Sequence, residues 1–291
     1  MDPRFKSARR FVGVLCGLLI VPSLLLAPAC AWSLTYCPLP MVDPARVVTE
    51  SRPFLDYLSR ALGRDIRIDY RPSNAEVVRA FSEDKIDLAE IGPLPYLVLR
   101  ETVPHAQALL FFLEEGATRT YTCALVAPFD GAADPRALLA DRPQELVVPQ
   151  MLSTCGPLSA VWLLHQCDPE MAPPPFRALG NHESVALSVI RAEVPAGSMK
   201  TLIARRYASL GLRILAETPP LPVFALVVNT RTLSEETIAD IARALCAAGP
   251  AERTGWTIGR HGFEKAEENA YRPLEEMLGK LGRRAGDFLL P

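Results

Sequence analysis

The stretch that says most about the fold is residues 146–157, which read LVVPQMLSTCGP. Leu146 to Val148 form a short apolar run that predicts a buried strand, and an apolar helix is predicted over Ser159 to His165. The residues between the two are mostly small, with two hydroxyl groups and a glycine. A strand that leads through such a loop into a helix is typical of α/β proteins that bind ligands at the ends of their strands.

This loop has the chemistry of an oxyanion site. A helix start presents unpaired backbone N–H donors and a partial positive charge, and hydroxyl side chains add further donors. We therefore predict that the loop holds a small tetrahedral anion through Ser153, Thr154, Cys155 and Gly156. The alternative is an ordinary helix cap, since Ser and Thr are favoured there without any ligand.

The chain before this loop alternates between strands and helices. Strands are predicted at residues 34–37, 66–70 and 86–91, and helices at residues 46–62, 75–83 and 93–100. This alternation predicts an α/β fold with an open, largely parallel sheet.

The chain after residue 120 contains two apolar runs that predict crossings between two lobes. The runs are Tyr121 to Ala127 and Val223 to Asn229, and the segment between them carries the anion loop and a helix over Val185 to Ala192. We predict one lobe from residues 32–120 and 223–291, with helices at 234–247 and 266–281, and a second, inserted lobe from residues 121–222. The tail, residues 282–291, is expected to fray.

The N-terminus has the order of a signal peptide. Four basic residues precede an apolar run over Phe11 to Ala27, and Ala29-Cys30-Ala31 offers a cleavage site before Trp32. We predict that residues 1–31 are removed on export to the periplasm or another extracytoplasmic space. A retained anchor, or lipid attachment at Cys30, is the alternative.

The charge of the chain argues against nucleic acid as a partner. The 291 residues include 31 basic and 33 acidic ones, and removal of residues 1–31 leaves 27 and 32, a net charge of −5. An apolar content of 49% and a charged content of 22% are those of a globular protein with a sizeable core. Binding of an anion must then depend on local donors.

Cysteine spacing indicates no metal site, and no cofactor is expected. Five cysteines follow Trp32, so at least one thiol is free, and the pairing of Cys37, Cys123, Cys167 and Cys246 stays open. A bond between Cys155 and Cys167 is not expected, because the helix between them holds the two residues roughly 18 Å apart.

Two further segments place polar side chains at element ends. Gly180-Asn181-His182-Glu183 puts a histidine at a helix start, where its ring N–H can meet an anion that raises its pKa and favours the charged form. Ile91-Gly92-Pro93-Leu94-Pro95-Tyr96 turns sharply after a strand, so the Tyr96 hydroxyl can point into a crevice. The alternatives are a surface histidine and a half-buried packing tyrosine.

Together, in this order, these segments resemble the phosphate, phosphite and phosphonate solute-binding proteins of ABC transporters. The family's "vDla-lGPlsY" pattern corresponds to residues 86–96, its "S-T-S-G" loop to residues 153–156, and its "G-x-H-(D/E)" segment to residues 180–183. The likeness runs from about Leu34 to Leu281. It implies a type II periplasmic-binding-protein fold, with two lobes, a two-strand hinge and a ligand cleft between the lobes.

The resemblance also implies which residues contact the ligand. His182 and Tyr96 would complete a cage around the anion held by the 153–156 loop. Ser73-Asn74 stand where a tyrosine often precedes the second helix, and we include Ser73 in the predicted site. Positions that are acidic in some members are Pro195 and Lys200 here, so we predict that Lys200 lies at the site and disfavours ligands with an amine. The alternative is that Lys200 points into water.

The predicted function is capture of a small phosphorus oxyanion by a monomeric solute-binding protein that delivers it to an ABC permease. A sensing module read by a membrane kinase is an alternative with the same ligand. An enzyme that uses Cys155 as nucleophile and His182 as base is a less favoured alternative, because no third orienting residue is evident.

Overall fold

The computed structural model describes residues 33–40 and 44–289. Their α-helices, in chain order, are α1 (Pro44–Leu62), α2 (Asn74–Ser82), α3 (Pro93–Thr102), α4 (Pro135–Ala140), α5 (Ser159–His165), α6 (His182–Ile190), α7 (Thr201–Arg206), α8 (Glu235–Ala247) and α9 (Arg272–Lys280). Their strands are β1 (Leu34–Cys37), β2 (Ile66–Ile68), β3 (Leu88–Ile91), β4 (Ala106–Phe112), β5 (Thr120–Tyr121), β6 (Cys123–Pro128), β7 (Leu146–Val148), β8 (Phe176–Ala178), β9 (Gly197–Lys200), β10 (Leu212–Glu217), β11 (Leu221–Pro222), β12 (Ala225–Asn229) and β13 (Phe263–Lys265).

The first sheet is built from both ends of the chain. Its six strands lie in the order β13-β4-β12-β3-β1-β2. Strand β1 pairs in parallel with β2 and β3, whereas β12 is antiparallel to both β3 and β4. The expected largely parallel sheet is therefore mixed, because the returning strand β12 enters the middle of the sheet in the opposite direction.

The second sheet is formed by the middle of the chain. Its five strands lie in the order β10-β6-β9-β7-β8, and β7 is parallel to β8 and β9. Between the two sheets, β5 and β11 form a two-stranded antiparallel ribbon, in which Tyr121 faces Leu221. This ribbon lies where the hinge is predicted; the lobe boundaries stay a prediction.

Apolar helix faces cover both sheets. One cluster packs α1 and α8 on the first sheet around Phe54, Leu58 and Ile241, which are fully buried. A second cluster packs α6 and α7 on the second sheet. The largest cluster is continuous across both sheets and joins α2, α3, α5 and α9. The ends of β3 and β7 thus face the same internal space from opposite sheets.

Two expectations at the chain ends have different outcomes. The tail does not fray up to residue 289, because Ala285 and Phe288 are buried against α3 in a short 3₁₀ turn. The predicted signal peptide, with Cys30, lies outside the described residues. Among the residues that are described, no helix is long and apolar enough to cross a membrane.

Candidate functional site

A small cavity lies between the two sheets. Its volume is about 30 Å³, room for about two water molecules. The first sheet's side of the lining consists of Leu39, Pro40, Asn74, Gly92, Pro95 and Phe224. The other side carries most of the polar groups, namely Tyr121, Gln150, Ser153, Thr154, Cys155, Asn181, His182 and Lys200. The polarity of this space suits an anion, and its small size favours a compact one.

The predicted anion loop lines this cavity with Ser153, Thr154 and Cys155. Ser153 stands at the cap position of the turn Thr154–Leu158, yet its side chain makes no capping hydrogen bond there. By contrast, Ser73, Asn181 and Ser234 all accept a backbone N–H in the first turn of their helices. The Ser153 hydroxyl is therefore not used as an ordinary cap, which favours the ligand-binding interpretation.

The Thr154 hydroxyl is oriented by the opposite sheet. Its oxygen accepts the backbone N–H of Leu94, at the start of α3, over 3.0 Å. A hydroxyl that accepts one hydrogen bond still has its own hydrogen to donate. Thr154 is only 4% exposed, so that hydrogen lies in a dry environment in which a bond to an anion is strong.

Gly156 has a steric role in the loop instead of the predicted contact. Its N–H donates to the carbonyl of Ser153, and it is absent from the cavity lining. A Cβ atom at this position would lie 2.6 Å from the carbonyl oxygen of Gln150. Only glycine therefore lets the loop fold this tightly, and Gly156 does not line the cavity that it was predicted to contact.

Cys155 forms a disulfide with Cys123, on β6. The two residues are 32 positions apart in sequence, and Cys37, Cys167 and Cys246 are free. The bond ties the anion loop to the second sheet. It also removes the thiol that a nucleophile requires, so the enzyme alternative based on Cys155 and His182 loses its reacting group.

His182 lies in the cavity as predicted, but it is neutral. Burial, together with the nearby Lys200 ammonium, lowers the pKa of its imidazole to about 3, which corrects the expected charged form. Its Nδ1 accepts the backbone N–H of Lys200 at 3.3 Å. In a neutral ring this leaves the proton on Nε2, so His182 offers a ligand one N–H donor.

Tyr121 is a site residue that the sequence analysis missed. It lines the cavity, it is 8% exposed, and its hydroxyl makes no well-formed hydrogen bond within residues 33–40 and 44–289, although the Thr154 hydroxyl lies close enough to influence its pKa. Burial raises the pKa of this phenol well above its ordinary value, so it stays a donor. A buried hydroxyl without a partner is costly, and a ligand oxygen would satisfy it.

Lys200 lies at the cavity, so the alternative that it points into water is wrong. The residue is 7% exposed, and its ammonium forms an ion pair with Glu114. The same nitrogen lies 5.0 Å from the ring centroids of both Tyr121 and Phe224. Its positive charge is therefore shared between a carboxylate and two aromatic faces.

Tyr96 and Ser73 do not line the cavity, so the structure does not bring these two predicted site residues to it. The Tyr96 hydroxyl donates to Glu268 at 2.6 Å and accepts the N–H of Ala108 at 3.3 Å, so it packs in the core behind α3. The Ser73 side chain caps α2 by accepting the N–H of Glu76. Asn74, the next residue, reaches the cavity instead.

The two walls of the cavity are also joined to each other. The backbone N–H of Asn74 donates to the Gln150 side chain at 2.8 Å, and the Asn74 amide donates to the carbonyl of Leu152 at 2.7 Å. The Gln150 amide donates in turn to the carbonyl of Pro40. The loop that precedes Ser153 is thus held against the first sheet by direct hydrogen bonds.

The described part of the chain contains no group of three or more His, Cys, Asp or Glu side chains that could hold a metal ion. The donors at the cavity are N–H and O–H groups, which suit an anion.

The protein has a periplasmic-binding-protein fold. Two mixed α/β layers are joined by a short ribbon, and a cavity rich in hydrogen-bond donors lies between their sheets. Similar solved structures share this fold. A binding protein component of an ABC phosphonate transporter from Pseudomonas aeruginosa matches with a TM-score of 0.73 and 18% identity, over 85% of this chain and 86% of that one. PhnD1 from Prochlorococcus marinus, in complex with methylphosphonate, matches with a TM-score of 0.72 and 16% identity, over 86% and 98%. A Xanthomonas citri protein bound to ATP matches with a TM-score of 0.71 and 17% identity, over 89% and 99%.

At these identities the likeness establishes the fold alone. The family is established by the sequence, because residues 36–271 match the model of the family described as ABC transporter, phosphonate, periplasmic substrate-binding protein. The chain belongs to this family of phosphonate-binding periplasmic proteins.

Proposed function

We propose that the protein captures a small phosphorus oxyanion, of phosphite, methylphosphonate or phosphate size, and presents it to the permease of an ABC importer. The observation that carries this proposal is that the Tyr121 hydroxyl lacks a well-formed hydrogen bond and the Ser153 hydroxyl does not cap its turn, although both residues line the same cavity. Buried polar groups are normally satisfied, so the buried Tyr121 hydroxyl points to a missing acceptor at the cavity. The half-buried Ser153 hydroxyl, which makes no capping bond, is a second donor there.

The chemistry of binding follows from the donors. Ser153, Thr154 and Tyr121 each offer an O–H, and neutral His182 offers Nε2–H. A tetrahedral anion has oxygens for all of them, and each hydrogen bond to a charged group contributes about 1.5 to 3 kcal/mol. The proposal is binding without catalysis, which the disulfide at Cys155 supports, because it leaves no thiol to act as a nucleophile.

Export is part of the proposal. Membership of a periplasmic family supports an extracytoplasmic site of action. We propose that residues 1–31 direct export and are then removed.

The test is titration calorimetry of the purified protein with phosphite, methylphosphonate, phosphate and sulfate. Ser153→Ala and Thr154→Val should each weaken binding by roughly 10- to 150-fold, the equivalent of one hydrogen bond to a charged ligand. Ser234→Ala is the matched control, because Ser234 caps α8 by accepting the N–H of Thr237 and does not line the cavity. It should lower stability and leave affinity unchanged. Unchanged affinity in both loop variants would move the site elsewhere.

A further inference from the structure

A larger space lies directly behind the cavity. This groove has a volume of about 470 Å³, and it is lined from β4, α1 and the 257–261 loop. Among residues 33–40 and 44–289, three side chains line both the groove and the cavity, namely Leu39, Lys200 and Phe224. These side chains form the wall between the two spaces.

Lys200 is held in this wall at both ends. Its backbone N–H is bonded to His182, which fixes the end of β9, and its ammonium is paired with Glu114. The Lys200 side chain is 9% exposed and that of Glu114 is 20% exposed, whereas Arg46, on the surface, is 59% exposed in its own pair. An ion pair removed from water resists separation, because each partner would leave the other uncompensated.

Phe224 holds the wall from the other sheet. It lies immediately before β12, and its ring packs against that of Tyr121 with centroids 5.6 Å apart. The Lys200 ammonium is 5.0 Å from both centroids, so the cation and the two rings pack as one unit. The wall is thus a packed structure that spans the second sheet, the ribbon and the first sheet.

The geometry points to Lys200 and Phe224 as the residues that set the size of the ligand. With the wall in place, the cavity admits a phosphorus anion whose fourth substituent is hydrogen, hydroxyl or a small alkyl group. A bulkier substituent has to enter the groove, which requires that the wall moves. This inference rests on the proposed function and adds to it the residues that limit the size of the ligand.

We expect the wall to select ligands by the size of the substituent on phosphorus and not by its charge. The sequence suggested that the Lys200 charge repels amine-bearing ligands, but Glu114 compensates that charge in the structure. A phosphonate with a bulky neutral substituent should accordingly be excluded as strongly as one whose substituent of the same size carries a charge.

The experiment compares the affinities of methylphosphonate and phenylphosphonate for the full protein. The unmodified protein should prefer methylphosphonate by at least about 100-fold. Phe224→Ala opens the wall from one side, and Lys200→Ala combined with Glu114→Gln opens it from the other without leaving a buried charge unpaired. Both variants should reduce the preference by at least about tenfold.

Lys200→Met in the same Glu114→Gln background is the matched control, because it keeps the length of the side chain, removes its charge and leaves no buried carboxylate unpaired. Its affinity for both ligands should fall together, so that the preference stays within a few fold of the original. Circular dichroism and thermal unfolding establish that each variant is folded, and either opened variant suffices if the other does not fold.

Three outcomes would overturn the inference. One is equal binding of the two ligands by the unmodified protein, and another is an opened variant that still binds methylphosphonate with the original preference. The third is a lost preference in Lys200→Met, which would make charge the selector. Failure of the proposed function is a distinct result, in which the unmodified protein binds no phosphorus oxyanion at all.

Discussion

Replacing Tyr121 with phenylalanine removes one oxygen atom, and the structure predicts opposite effects on stability and on binding. In the ligand-free protein the Tyr121 hydroxyl is buried without a hydrogen-bond partner in the described chain. A buried hydroxyl without a partner costs about 1 to 3 kcal/mol, so its removal should raise the free energy of unfolding by at most that amount and should not lower it. For a chain of this size a gain of 1 kcal/mol raises the melting temperature by about 2 to 4 °C.

Binding should change in the other direction. If the hydroxyl donates to a charged ligand, the variant loses roughly 1.5 to 3 kcal/mol of binding free energy, or roughly 10- to 150-fold in affinity. Thermal unfolding without ligand measures the first effect, and calorimetric titration with methylphosphonate measures the second.

Tyr57→Phe is the control for this experiment. The Tyr57 hydroxyl donates to the carbonyl of Ala244 at 2.9 Å and lies away from the cavity. Its removal should lower stability and leave affinity unchanged. A ligand contact by the Tyr121 hydroxyl is refuted if the Tyr121→Phe variant binds methylphosphonate as tightly as the unmodified protein. Its lack of a partner in the folded protein is refuted if the variant unfolds at a lower temperature, as Tyr57→Phe should.

Three further predictions follow from buried groups near the cavity. His182→Gln should weaken binding by the same factor at every pH from about 5 to 8, because a pKa of about 3 keeps the imidazole neutral there; a factor that shrinks as pH rises would indicate a charged ring. Glu90, buried beside Lys200 and Tyr36, has its pKa raised from 4.5 to about 7, chiefly by burial, so the native protein holds its proton more tightly than the unfolded chain. Stability should then fall as pH rises from about 4.5 to 7, and Glu90→Gln should be more stable at pH 8 by about 3 kcal/mol; urea unfolding with the same pH slope in both proteins would contradict this. Replacing Cys123 and Cys155 with alanine opens a loop of 32 residues, which should lower the free energy of unfolding by about 3 to 4 kcal/mol. The same change should weaken ligand binding. Thermal unfolding of the unmodified protein that is the same with and without a reductant would argue against the disulfide.

Local patterns in the sequence predict much of this fold. Helix α5 has the predicted bounds, and α1, α2 and α3 differ from prediction by a few residues at their ends. Apolar periodicity and turn residues are local signals, and they are enough to locate such elements. Strands β4, β8, β9, β10, β11 and β13 were missed. Strand β9, for example, reads Gly-Ser-Met-Lys and carries no alternating pattern.

The site was predicted in part, because its anion loop is local and its remaining contacts are not. Ser153, Thr154 and His182 are next to helix starts that the sequence reveals. The direction of the Tyr96 hydroxyl depends on Glu268, which is 172 positions away. The low pKa of His182 depends on burial and on Lys200, and neither is visible in a histidine at a helix start.

Tyr121 was missed for a related reason. It begins a β-rich run, and alternation predicts only that its side chain lies on one face of a strand. That it stands at the ribbon between two sheets, with its hydroxyl at the cavity, follows from the pairing of β5 with β11.

The disulfide at the anion loop gives the protein a way to separate its synthesis from its activity. Cytoplasmic thiols are kept reduced, whereas exported proteins meet an oxidising environment. A newly made chain inside the cell therefore has Cys155 unbonded to β6, and its anion loop is held only by hydrogen bonds and packing. Under the proposed export, the anion loop of residues 153–156 therefore acquires its covalent tie to β6 only outside the cytoplasm.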